Sequence, residues 1–263
     1  MALHFDLAWL AAVVLLATRV AGATVLIPVL GPVQLPGVAR VLLAFALGAA
    51  FISGLGGISN TGAAAAVGSS GALVVAMAME LVIGASIGFG FLASYAATQV
   101  AGRVLDTQMG FSAASVFNPG LRAVSPLVGT LLGMLAVMEF LALDGHLLLF
   151  KVLAASARLM PPGVVVAQDA FPWDALIRHS GTMFTFGLTL AAPVMFSLLL
   201  ADVAVALFSR SVPQLNAFVL GFAVKVLLGL AGLAASVRLS QAVFERLFGT
   251  TLQYWELFEP HTH

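Results

Sequence analysis

Cysteine is absent from this sequence, which removes disulfides, thiol nucleophiles and thiolate metal sites from consideration. Charge is scarce: 8% of the residues are Asp, Glu, Lys or Arg, where a soluble domain carries about 25%. The 11 basic and 11 acidic side chains cancel, so no net field draws the chain to nucleic acid. The HExxH zinc motif and the GxxxxGK phosphate loop are missing, and with them the metalloprotease and NTPase signatures. Lys and Arg are missing from the first residues too, which hold Asp6, and Arg19 interrupts the apolar run near Ala21-Gly22-Ala23. That arrangement opposes a cleaved signal and predicts an uncut membrane helix.

What is present is apolar: 61% of the chain is hydrophobic, with a mean hydropathy of +1.10. These values place it among all-α polytopic membrane proteins, and the runs predict about six long apolar helices. They cover residues 7–30, 38–52, 72–95, 127–143, 180–208 and 217–237. Residues 53–71, rich in Gly and Ser, read as a flexible connector. Residues 144–160 read as a helix leaving the membrane, stopped by Pro161-Pro162-Gly163, and 164–179 as an interfacial loop. The tail from 238 to 263 has apolar residues at helical spacing beside Arg238, Glu245 and Arg246, the pattern of an interfacial amphipathic helix. Two pairs, Gly84-xxx-Gly88 and Gly129-xxx-Gly133, predict faces where helix backbones approach closely.

The chain is organised around Gln99–Pro126, between two apolar segments. Met109, Phe111, Val116, Phe117 and Leu121 alternate there with Gly110, Ser112, Asn118, Pro119 and Gly120. Pro119 lacks a backbone donor and disfavours helix at Asn118, and glycine admits dihedrals closed to other residues. Irregular backbone in so apolar a protein lines a cavity, meets water or is buried in protein. We read a plug-like loop at about 106–126, with Met109, Phe111 and Phe117 sealing and Gly110, Asn118 and Pro119 shaping it; packing against neighbouring helices is the alternative.

Ionisable residues inside apolar segments mark the second candidate group: Arg19, Glu80, Glu139, Asp202 and Lys225. Each costs about 2.5–3.5 kcal/mol at a bilayer centre and needs a partner. Pairing between helices or subunits is expected, with Glu80–Lys225 as the pair to test and Asp202 or a partner subunit's residue as competitors; a proton or substrate relay is the alternative. His261 and His263 lie two apart on the tail without a third ligand, so no metal is expected, and His146 reads as a structural hydrogen-bonding residue. No cofactor or catalytic residue is expected.

Two stretches resemble a known family. GRVLDTQMGFSAASVFNPGLRAVSP, running on into LALDGHLLLF, is similar to the central signature of the FliR family, flagellar biosynthetic proteins of the type III export gate. ALFSRSVPQLNAFVLGFAVKVLLGL, with Pro213, Gln214, Asn216 and Gly221, resembles its second signature. The resemblance covers nearly the whole chain as one FliR-like domain, 1–263. It implies a non-enzymatic subunit that assembles with FliP- and FliQ-type subunits, and with an FlhB-type switch protein, into a conduit for unfolded flagellar proteins at the inner-membrane base of the flagellum. It also implies an inward-facing plug at the positions matching Met109–Pro126, and helices partly covered by partners above the bilayer plane as well as by lipid. Asn118-Pro119 departs from the common Asp-Pro, and Ala223 stands where proline is frequent. The virulence injectisome has an equivalent subunit, which is the alternative reading within the superfamily. A small-solute or proton transporter is the alternative outside it.

Overall fold

The computed structural model describes residues 6–27, 36–54, 58–111, 126–164, 171, 173–211 and 217–256, leaving aside the side chains of 217–220 and 236–241. Among these residues the backbone forms α-helices and no strand. The helices are α1 (Leu7–Val25), α2 (Gly37–Gly54), α3 (Thr61–Val67), α4 (Ser70–Gln108), α5 (Leu127–Ala142), α6 (Gly145–Leu159), α7 (Trp173–Ser211) and α8 (Ala217–Glu256).

α1 begins where the Asp6 carboxylate accepts the Ala8 N–H at 3.0 Å, capping an otherwise orphaned donor. Small residues then let it meet its neighbours. A methyl group on Gly48 of α2 would sit 3.0 Å from the Val13 carbonyl oxygen. One on Gly84 of α4 would fall on the Arg19 carbonyl oxygen, and one on Gly88 on that of Ala23. The Gly84-xxx-Gly88 pair is therefore the seam between α1 and α4, as its spacing predicts.

The connector expected at 53–71 contains a helix. Alanine has the highest helix propensity, and the run in TGAAAAV presents Ala63 and Ala66 to Ala11, Ala12, Leu15 and Ala76 in one cluster. Glycine and serine around it hide that signal.

α4 also differs from expectation, running past Tyr95 through Gln108 and so through the first part of the stretch read as irregular. Its 39 residues extend to about 58 Å, nearly twice a hydrocarbon core of about 30 Å. α7 passes Pro193 and is already helical at Trp173, where a loop was expected. α8 continues from the sixth apolar segment into the amphipathic tail as far as Glu256. α1, α2, α4 and α7 are long and apolar enough to cross a membrane. The α5–α6 pair, bent by 66°, makes a fifth if counted as one span, and α8 adds the shorter apolar stretch Gly221–Ala235. Asp144, at φ 55°, stands in the left-handed region at the bend.

The chain gathers into two compact units, one from Met1–Leu92, Leu141–His179 and Thr250–His263, the other from Ala93–Phe140 and Ser180–Gly249. In the first, Leu15, Leu16, Ile83, Ile87, Phe91, Leu153 and Trp255 are buried. In the second, Leu105, Met109, Val128, Val194, Leu198 and Leu247 are.

Candidate functional site

The first unit is centred on a buried ion pair. Arg19 on α1 and Glu80 on α4 are at most 1% exposed, and Arg19 Nε donates to Glu80 Oε2 at 2.6 Å. Glu80 lies one helical turn before Gly84, so the close α1–α4 approach that glycine permits also places the two charges together. The guanidinium fork has donors to spare: one terminal nitrogen reaches Ser156 Oγ at 3.1 Å, the other the Met160 carbonyl at 2.8 Å. Glu80 Oε1 accepts the Gly163 N–H at 3.0 Å. Gly163 adopts φ +85° and packs on the Gly62 backbone, so the carboxylate also holds the turn that ends α6.

In the second unit Lys225 Nζ and Asp202 Oδ1 meet at 2.6 Å, with the side chains 26% and 40% exposed. Where Glu80–Lys225 was the pair to test, Glu80 is paired with Arg19 and Lys225 with Asp202. Sequence reasoning named every member and held Asp202 as a competing partner, but did not pair Arg19 with Glu80, because hydropathy carries no information on which helices are neighbours. Glu139, half-buried on α5, has no ion-pair partner among the described residues. Among those residues, too, Nδ1 of His146 finds no hydrogen-bond partner. His261 and His263 lie outside the described residues.

The organising stretch opens on a helix terminus. Gly110, at φ +84°, follows α4; its N–H bonds the Thr107 carbonyl at 3.2 Å, and the Phe111 N–H bonds the Asp106 carbonyl at 3.0 Å. This is a Schellman end, which satisfies two carbonyls that the helix leaves open. Met109 is fully buried, its side chain against Gly229, and the Gly110 backbone faces the Phe222 ring. Phe111 is half-buried. Met109 thus has the packing surroundings weighed above as the alternative to sealing. Phe117, Asn118 and Pro119 lie outside the described residues, as do Pro213, Gln214 and Asn216 of the second signature. Gly221 is buried on α8, 3.4 Å from Val205 measured at its missing Cβ.

Asp106, which the sequence reading passed over, is the polar centre of this region. Its buried side chain accepts the Val128 N–H at 3.1 Å through Oδ1 and the Gly129 N–H at 3.4 Å through Oδ2. Nearby, Gln99 Nε2 donates to the Gly129 carbonyl at 3.0 Å, and Gly102 packs on the Gly129 backbone. The signal was available: an acid in the last turn of a helix opposes the helix dipole, so it serves something outside that helix.

A third cluster was missed altogether. Tyr254 donates to the Ser86 carbonyl at 2.8 Å, Trp255 Nε1 to that of Ile87 at 2.9 Å, and His179 Nε2 to that of Gly90 at 2.9 Å. The Tyr254 ring stacks on His179 with centroids 4.8 Å apart. A side chain at Gly90 would strike Tyr254 and Trp255. The Tyr and Trp of a tail read as interfacial are buried against α4. Gly84-Ala85-Ser86-Ile87-Gly88 also has the spacing of a hydrolase nucleophile elbow. Its serine lies within α4 with Oγ donating to the Ile83 carbonyl at 2.7 Å, so the strained turn which exposes such a nucleophile is absent there.

Comparison with known proteins accords with this layout. Over 170 residues the chain is 33% identical to the flagellar biosynthetic protein FliR of Escherichia coli, covering 64% of each chain. It is 30% identical over 181 residues to the FliR of Bacillus subtilis, covering 66% of this chain and 68% of that one. It is 29% identical over 157 residues to the secretion system apparatus protein SsaT of Salmonella typhimurium, covering 60% of this chain and 61% of that one. The match thus spans a little under two thirds of the Escherichia coli relative. Residues 10–251, which hold both ion pairs and the Asp106 region, match one family, and the chain belongs to that family, the bacterial export proteins, family 1.

Proposed function

We propose that the chain is a structural and gating subunit of a flagellar type III protein export gate, acting with FliP- and FliQ-type subunits and an FlhB-type switch protein in the inner membrane at the flagellar base. The observation that carries this reading is the family match over residues 10–251. The structure supports an assembled state. Large apolar side chains on α2 and α7, among them Val38, Leu42, Phe196 and Leu207, are more than half exposed. A partner or lipid must cover them. The buried charges are paired with one another, as fixed struts are. Substrates in this reading are unfolded flagellar proteins.

The relatives also include the secretion system apparatus protein SsaT, which keeps an equivalent subunit of a virulence injectisome as the second reading. Co-expression with the FliP- and FliQ-type subunits of the same cell tests the main one. The three should purify together, while the chain expressed alone is degraded or aggregates. A monodisperse, protease-resistant monomer in detergent would overturn the assembly. Restoration of swimming, rather than of injectisome secretion, assigns the flagellar branch.

Within this reading the stretch from Met109 to Pro119 closes the conduit at rest. Phe111→Ala should leave the complex assembled but leaky to ions. Met109→Ala, by contrast, should lower the amount of complex, because it empties a buried site at a cost of about 2–5 kcal/mol. An assembled Phe111→Ala complex that stays sealed removes the stretch from the gate.

A further inference from the structure

Asp106 bonds both the end of α4 and the start of α5. Its backbone carbonyl accepts the Phe111 N–H at 3.0 Å, fixing where the chain leaves α4. Its carboxylate accepts the Val128 and Gly129 N–H groups at 3.1 and 3.4 Å, fixing where the chain enters α5. Leu127 is the first residue of α5, so these amides belong to its first turn, where no intrahelical acceptor exists. An ordinary N-cap comes from the residue before the helix. Here that residue is Pro126, whose side chain has no acceptor, and the cap comes from Asp106, 22 positions before Val128.

We infer that Asp106 is a positioning residue, a clasp that sets the separation between the end of α4 and the start of α5. Three features fit this role. The group is 3% exposed, so water does not compete for the carboxylate. Its negative charge meets the positive end of the α5 dipole. Gly102 admits the Gly129 backbone, and Gln99 bonds the Gly129 carbonyl from the same helix, so α4 grips this turn through three residues. Neither the mechanism of export nor the family match assigns Asp106 any part. The inference gives the proposed gate stretch its fixed base, and it rests on that reading only for its link to sealing.

Hydrogen–deuterium exchange of the assembled complex tests it, with ion leakage measured on the same samples. Asp106→Ala should raise exchange at Val128 and Gly129 by about 5- to 30-fold, the loss expected for a cap. Phe111 should keep its protection, because alanine retains the backbone carbonyl. Asp106→Asn keeps one acceptor oxygen and replaces the other with a donor, so it should protect one of the two amides and expose the other. General destabilisation would not give that split. It also keeps the test alive if the alanine variant fails to assemble. Unchanged exchange at Val128 and Gly129 in either assembled variant overturns the clasp, as does loosening of both amides and Phe111 alike. Faster exchange with leakage ties the clasp to sealing. Faster exchange without leakage upholds the clasp and counts against the gate reading alone.

Discussion

Single side chains here differ most in how far their charges are withdrawn from water. Arg19 and Glu80 are buried and bonded to three further groups, whereas Asp202 and Lys225 are partly exposed. Removing one member of a buried pair strands the other, so Glu80→Ala should destabilise the subunit by about 3–5 kcal/mol in thermal unfolding of the complex. Arg19→Met combined with Glu80→Leu should recover most of that loss, since an apolar pair leaves no stranded charge. Arg19→Lys should not be neutral, because an ammonium cannot span Glu80, Ser156 and Met160 as the guanidinium does. Double-mutant cycles should give large coupling for Arg19–Glu80 and about 0.2–1 kcal/mol for the more exposed Asp202–Lys225. Glu80 and Lys225 should be additive within about 0.5 kcal/mol. Coupling between Glu80 and Lys225 would contradict the pairing seen.

Elements are where the sequence was most legible and where its limits are plainest. Apolar runs located α1, α2, α5 and the centres of α4, α7 and α8, since hydropathy integrates over a whole span. It could not set the lengths of α4, α7 and α8, whose polar ends, such as Arg103 to Gln108, lie on long helices with nothing in hydropathy to mark continuation. Nor could it find α3, a short alanine helix held by burial. Glycine spacing was read correctly because a missing Cβ has one geometric consequence wherever it lies. That consequence can be measured. Gly84→Ala would drive a methyl group onto the Arg19 carbonyl and should cost about 1–3 kcal/mol by forcing α1 from α4. Gly181 and Gly249 also lie inside helices, but among the described residues nothing beyond their own helix backbone stands within 4 Å of a methyl group there. Gly181→Ala or Gly249→Ala should stabilise by up to about 1 kcal/mol, the propensity gain alone. Thermal unfolding of the three variants in one detergent makes the comparison, and equal effects would refute the close seam.

For the whole molecule, the question is what covers its apolar surface. Of the residues of α2 only Ala44 and Gly48 are buried, and Val38, Val41 and Leu42 are 54–72% exposed. After Arg40 this helix has no charge, so lipid can cover it at no electrostatic cost. The face of α7 around Asp202 differs. Leu199, Leu200 and Val203 are exposed there beside a charge pair that is itself partly open. Hydrocarbon would penalise those charges, whereas a partner helix with a polar side chain, or a wet interface, would not. If the chain is an export-gate subunit, assembly should therefore protect α7 more than α2. Because the sequence has no cysteine, single substitutions report cleanly. Leu199→Cys and Leu42→Cys should both react with a small maleimide when the chain is held alone in detergent. On co-expression with FliP- and FliQ-type partners, Leu199→Cys should lose most of its reactivity. In vesicles, Leu42→Cys should instead come within reach of a spin-labelled lipid. If Leu199→Cys meets the labelled lipid and Leu42→Cys does not, the two faces have exchanged roles, and the charge pair lies against lipid despite its cost.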